Sequence, residues 1–280
     1  YPLRRQRQMC IRDSFDNLKQ ETTMNRLSHL MRALGWSTAL CCLLVTTAAH
    51  ADLLKDIKAA GKIRIALDTG SPPYGFVDSA LKPVGSDVET AQLLAQDLGV
   101  QLDIVQTTSP NRIPFLQTGK ADIVVASLSM TPEREKIVDF SVPYAQILAV
   151  VAAPKSVVIK SFDDLKGKRV ATTRGSNNDK VVTTGANGAQ IVRYDDDATL
   201  VTAAVSGQAD ILATSPAIVS AVLAKSPQKD LVTQFVMQTV PLGIGLRKNE
   251  PELKAWLDAW VTENTQNGKL TAIYKKYHGS

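Results

Sequence analysis

Short apolar runs alternate along this chain with stretches whose apolar residues recur every three or four positions. Ile63-Arg64-Ile65-Ala66-Leu67, entered from Gly61-Lys62, predicts a strand. Val88, Ala91, Leu94, Ala95 and Leu98 then fall on one face of a helix that Gly99 stops. Leu102 to Val105 reads as a second strand, a short helix follows Pro110, and Asp122 to Ala126 is a third strand. Strands alternating with helices in this way predict an α/β fold.

The pattern recurs further on. Gly167-Lys168-Arg169-Val170-Ala171 echoes the entry to the first strand, and Gly207-Gln208-Ala209-Asp210-Ile211 echoes Gly119-Lys120-Ala121-Asp122-Ile123. The two offsets differ, so the echo is one of architecture and not a tandem repeat; two α/β lobes are expected. Gln146 to Ala152 and Phe235 to Leu246 are apolar connectors, read as two crossover strands forming a hinge. After them Leu253, Trp256, Leu257, Trp260 and Val261 make a helical stripe that reads as core packing. Asn267-Gly268 breaks it before a last helix carrying Leu270, Ile273, Tyr274 and Tyr277. The first lobe is thus expected over 52–144 and again over 241–280, with the second lobe and hinge strands at 145–240.

Residues 24–51 have a different character. Arg26 and Arg32 precede an apolar run from Ala33 to Val45, and Ala49-His50-Ala51 supplies an A-x-A cleavage site. That is the pattern of a secretory signal peptide cleaved after Ala51, with an apolar run too short to span a bilayer. Residues 1–23 are read as non-native upstream sequence. The excess of basic residues is largely confined to this part. Of 32 Lys/Arg and 27 Asp/Glu, residues 1–51 hold 7 and 3, leaving 25 against 24. The remainder therefore lacks the basic footprint of a nucleic-acid binder. Cys10, Cys41 and Cys42 are the only cysteines, so residues 52–280 offer no disulfide, thiol nucleophile or cysteine metal site. No cofactor or metal is expected.

Candidate chemistry concentrates where the third strand ends. Ser127 and Ser129 place hydroxyls as the chain leaves the core, and Thr131-Pro132-Glu133 opens a helix with Thr as N-cap and Pro in the first position. Arg134 lies in that first turn. Hydroxyls, free backbone N–H groups and a guanidinium fork suit a carboxylate. The same residues also describe an ordinary capped helix with a solvated arginine.

The stretch from Asp122 to Arg134, with Val138-Asp139-Phe140-Ser141-Val142-Pro143-Tyr144 after it, resembles the two linked signature motifs of the family 3 extracellular solute-binding proteins, polar-amino-acid receptors of ABC importers. The resemblance implies a two-lobed periplasmic-binding-protein fold (type II), a small-molecule ligand between the lobes, an inner-membrane ABC permease as partner, a monomer and a periplasmic location. Carried over position by position, it implies that Ser127, Ser129 and Arg134 hold an α-carboxylate. Ser176 and Asn177, in the loop Arg174-Gly175-Ser176-Asn177, would close over it from the second lobe. Asp68 would face the ligand after the first strand, Tyr74 would wall the pocket, and Arg112, in Asn111-Arg112-Ile113-Pro114, would reach the ligand.

Three positions depart from the family pattern. Ser71 and Ser109 stand where aromatic residues are common. Ser215 stands five residues after Asp210, where the acid that grips the α-ammonium is expected. A serine accepts a hydrogen bond but brings no charge. The ligand is accordingly expected to be a polar amino acid held differently, with Asp68 taking the ammonium, or a related carboxylate without one, in a binding protein and not an enzyme. The competing expectation is a dehydratase on the same fold, resembling cyclohexadienyl dehydratases, with Asp68 or Asp179 as general acid.

Overall fold

The computed structural model describes residues 52–279. The expected signal peptide, 24–51, and the upstream segment, 1–23, lie outside the described residues.

The first lobe begins with helix α1 (Leu53–Ala60), capped by Asp52, and strand β1 (Lys62–Leu67). A two-stranded hairpin of β2 (Phe76–Val77) and β3 (Pro83–Val84) leads to α2 (Ser86–Leu98) and β4 (Gln101–Gln106). Helix α3 (Arg112–Gln117), β5 (Ile123–Val124), α4 (Pro132–Glu135) and β6 (Asp139–Phe140) complete its first pass. The chain then crosses on β7 (Ala145–Pro154) into β8 (Arg169–Thr173), α5 (Asn177–Gly185), β9 (Gln190–Tyr194), α6 (Asp197–Val205), β10 (Leu212–Thr214) and α7 (Pro216–Lys225). It returns on β11 (Leu231–Leu242) to β12 (Gly245–Leu246), α8 (Pro251–Gln266) and α9 (Lys269–His278).

Two five-stranded mixed sheets result, ordered β4-β1-β5-β12-β6 and β11-β7-β10-β8-β9. In the first, β4, β1 and β5 are parallel and β12 is antiparallel to both neighbours. Side chains alternate across a strand, and both faces of this sheet are covered. Ile63, Ile65 and Leu67 pack with Val88, Leu94, Leu257 and Trp260, whereas Ala66 packs on the other face with Leu116, Val124 and Phe140. Burial on both faces is why β1 reads as a nearly unbroken apolar run. Trp260 also donates to Asp97 on α2 at 2.8 Å, pinning the returning helix to this lobe. The second sheet divides its core in the same way, Ala171 and Leu212 facing Leu200 and Ile218 while Val170 and Ala213 face Val182 and Leu165.

Strands β7 and β11 pair antiparallel from Ala145–Leu242 to Pro154–Leu231 and form the crossover. The expected continuous strand Phe235 to Leu246 is divided in two. At Gly243 a Cβ would lie 2.9 Å from Met130 Sδ and 3.1 Å from the Phe140 ring, so a larger residue here would have to displace these side chains. Beyond it the Ile244 amide donates to Ser141 Oγ at 3.0 Å, and Gly245–Leu246 pairs in the first sheet.

Candidate functional site

The strand ends and helix starts of both lobes face each other across a cleft, as open α/β sheets place ligand sites outside the carboxyl ends of their strands. Two neighbouring cavities occupy it. The inner one is narrow, about 30 Å³, and Ser71, Tyr74, Arg112, Ser127 and Ser129 line its first-lobe wall. Ser176, Asn177, Asp197 and Ser215 line the opposite wall. The outer cavity, about 390 Å³, is lined by Thr131 and Arg134 on one side and shares Ser176 and Asn177 with the inner one.

Ser127 takes a positive φ of 42°, unusual for a residue with a side chain and worth roughly 1–2 kcal/mol of strain. This turn aims its amide at buried Asp87. Burial pushes the Asp87 carboxyl up to about 7, although the Ser127 amide, the Tyr144 hydroxyl and Arg112 all pull it down. Thr131 caps α4 by accepting from the Arg134 amide at 3.4 Å. The Arg134 side chain folds back over the strand end. Its Nη1 donates to the Ser129 carbonyl at 3.0 Å and its Nη2 crosses the cleft to the Gly175 carbonyl at 3.4 Å. Among the described residues no carboxylate pairs with it. Burial, and after it the neighbouring Arg112 charge, lowers its pKa to about 9.

Arg112 is buried and most of its donors are engaged. Nη1 donates to the Ala126 carbonyl at 2.6 Å, Nε to the Ser109 carbonyl at 3.2 Å and Nη2 to Ser109 Oγ at 2.9 Å. It ties the turn before α3 to the end of the third strand and also lines the inner cavity. Asp68 does not reach the cavity wall. It is buried behind it, accepts from the Gly70 amide at 3.0 Å, and burial raises its pKa to about 6 against the pull of Arg112. On the second lobe, Ser176 caps α5 by accepting from the Asp179 amide at 3.0 Å, and Asn177 donates to Gln238 of β11 at 3.0 Å. Ser215 precedes α7 but makes no capping bond with its side chain, which leaves its hydroxyl to the cavity.

The charged lining residue absent from the expected set is Asp197. It opens α6, and its carboxylate accepts hydrogen bonds from Ser71 of the first lobe and Thr173 of the second. In the sequence it is the third of three consecutive aspartates before a helix, where any of them reads as a cap. Asp196 is the actual cap, in a reciprocal box with Thr199. The next residue also joins the lobes: the Ala198 amide donates to the Gly70 carbonyl at 2.8 Å.

This architecture and its cleft agree with what the chain resembles. Residues 63–280 match the model of the bacterial extracellular solute-binding proteins, family 3. The chain belongs to that family. It is 31% identical over 239 residues to the L-cystine-binding protein TcyJ of Escherichia coli, covering 84% of this chain and 90% of that one. It is 30% identical to the ABC transporter glutamine-binding protein GlnH of Bacillus subtilis, over 81% of this chain and 84% of the relative. Among solved structures, an ancestral amino acid-binding protein described as a precursor of cyclohexadienyl dehydratase superposes with a TM-score of 0.72 at 34% identity, covering 80% of this chain and 98% of that one.

Proposed function

We propose that this protein is the periplasmic binding component of an ABC importer, holding a polar amino acid or a related carboxylate between its lobes. The observation that carries the reading is Arg134. A partly buried guanidinium without a carboxylate partner among the described residues donates to the Ser129 carbonyl and lines the outer cavity with Ser176 and Asn177, next to the inner cavity that Ser127 and Ser129 line. Burying an unpaired charge is costly, and a ligand carboxylate offsets that cost with two parallel charge-assisted hydrogen bonds. The relatives' names add support, since they are binding proteins for cystine and glutamine, the latter of an ABC transporter. The permease partner and the periplasmic location rest on the family and on the leader pattern of residues 24–51.

The dehydratase alternative requires a general acid facing the ligand. Asp68 has a raised pKa but lies behind the cavity wall, and Asp179 is paired with Arg193 at 2.9 Å. Geometry comes before pKa in assigning such a role, so binding without chemistry is the better account. Native mass spectrometry of the freshly purified protein, followed by calorimetric titration with individual amino acids, tests it. A retained or titrated carboxylate ligand recovered unchanged supports the reading; turnover of prephenate-like acids, or no carboxylate bound at all, overturns it.

A further inference from the structure

The geometry points to Asp197 as the anchor of a ligand ammonium group, so that the ligand is an α-amino acid and not a carboxylate without an amino group. This rests on the proposed carboxylate site and adds the second charge of the ligand. Asp197 lines the inner cavity from the second lobe, while Ser127 and Ser129 line it from the first. Its carboxylate receives two neutral hydroxyl donors, Ser71 and Thr173, and no Lys, Arg or His among the described residues forms an ion pair with it. The nearby cation, Arg112, directs its donors at the Ala126 and Ser109 carbonyls and at Ser109 Oγ.

Like Arg134, a carboxylate so placed has no ion-pair partner at bonding distance among the described residues, although it feels the Arg112 charge. Burial raises its pKa, and the Ser71 and Thr173 hydroxyls pull the other way. Arg134 lines the outer cavity and Asp197 the inner one, and the two cavities meet at Ser176 and Asn177; a zwitterion reaching across that junction supplies a partner to each, its carboxylate to Arg134 and its ammonium to Asp197. Ser215 is neutral and stands elsewhere on the same wall, so the charge that this position lacks is provided from the start of α6 instead. Because Asp197 also touches Ser71 and the adjacent Ala198 amide bonds to Gly70, an ammonium held here draws the first turn of α6 onto the loop after β1. Ligand charge and lobe closure are thereby coupled.

The rival account is that Asp197 is only a clasp between the lobes. Calorimetric titrations separate the two. The L-amino acids are titrated singly into the wild-type protein. The tightest binder is then compared with its deaminated acid, which keeps the carboxylate and side chain. Wild type is expected to favour the amino acid. Asp197→Asn is expected to lose about 30- to 1,000-fold for the amino acid, the range for breaking a buried hydrogen-bonded charge pair, while the deaminated acid changes less than about threefold. Thr173→Val, which removes a hydroxyl bond but keeps the charge, is expected to preserve the ratio of the two affinities.

Equal loss of both ligands in Asp197→Asn makes Asp197 a clasp and overturns the inference. So does a wild-type protein that binds the deaminated acid as tightly as the amino acid. Should Asp197→Asn not fold, Asp197→Glu decides on the same ratio: a displaced carboxylate penalises the amino acid selectively, and an equal change for both ligands overturns the inference. If wild type binds neither, the carboxylate site itself fails, a result distinct from all of these.

Discussion

Lys180 of α5 lies 2.7 Å from the Glu133 carboxylate in the first turn of α4, an ion pair that ties the second lobe to the first. It spans the mouth of the outer cavity, which both residues line. The Lys180 ammonium holds the Glu133 carboxyl down at about 2, well below the usual range. Both side chains are about half exposed, so the pair is open to screening by salt.

The contact exists only where the lobes meet, so it biases closure without touching ligand. Lys180→Ala is expected to weaken ligand binding by less than about fivefold, the usual scale for exposed pairs. The difference from wild type should vanish in about 1 M salt, where the screening length falls to a few ångströms. Calorimetry at two ionic strengths measures it. A large, salt-independent loss would mean that Lys180 contacts the ligand.

Arg134 sets the larger effect. Arg134→Ala leaves the Ser127 and Ser129 hydroxyls facing a carboxylate without its counter-charge, and affinity is expected to fall about 30- to 1,000-fold. The melting temperature of the ligand-free protein should change by no more than about 2 °C, because the variant loses only two bonds to backbone carbonyls and relieves a desolvated charge. Arg134→Lys keeps the charge but loses the fork, and is expected to fall between the two. Binding within threefold of wild type in Arg134→Ala would remove this residue from the site.

The contrast between Arg134 and Asp197 shows what the sequence can and cannot convey. Arg134 is legible because its neighbours are local: strand end, serines, N-cap and proline occupy one short stretch, and each has its own signal. The strand Lys62–Leu67 is legible because burial on both faces writes itself as nearly consecutive apolar residues, and the edge strand Gln101–Gln106 because exposed Gln101 and Asp103 alternate with half-buried Leu102 and Ile104. Asp197 depends on Ser71, 126 residues away, and nothing local separates it from Asp195 or Asp196. Asp68 is the converse case: its position at the end of β1 suggests the cleft, but it is buried, accepts from the Gly70 amide and is not among the residues that line the inner cavity. The split between β11 and β12 is not legible because Val240 to Leu246 carries no polar residue, and the change of sheet depends on distant partners: Leu242 pairs with Ala145, whereas Gly245 pairs with Val124 and Phe140.

Buried Asp87 gives a pH dependence of stability. Its carboxyl ionises near 7 in the folded protein but near the ordinary 3.8 when unfolded. Between those values the folded state binds more protons than the unfolded state, so stability falls as pH rises from about 4 to 7. The sign is that of a penalty: it is absent below the unfolded pKa and fully present above the folded one. Asp68, raised to about 6, acts in the same direction. Asp87→Asn keeps an oxygen to accept the Ser127 amide and cannot ionise. It is expected to melt at least about 3 °C above wild type at pH 8, roughly what 1 kcal/mol does in a domain of this size. At pH 4.5 the two should nearly coincide. A constant difference across this range would show that Asp87 does not titrate there.

Closure itself is tested at Gly175. This residue has φ of 67°, and a Cβ added to it would meet Pro110 of the first lobe at 3.0 Å from both Cα and Cβ. The first property belongs to the second lobe alone and costs roughly 1–2 kcal/mol for any other residue, whether the lobes meet or not. The second arises only when the cleft is shut. Gly175→Ala therefore carries two separable penalties. The ligand-free protein should lose a few degrees of melting temperature from the backbone strain. Ligand affinity should fall further, by about tenfold, because closure must push Pro110 aside by a few tenths of an ångström while keeping the Arg134 bond to the Gly175 carbonyl. Small-angle scattering with saturating ligand should show a larger radius of gyration than wild type. If the variant binds as tightly as wild type and compacts to the same radius, Pro110 and Gly175 do not meet in the bound state, and the closed arrangement of these lobes would have to differ from the one described.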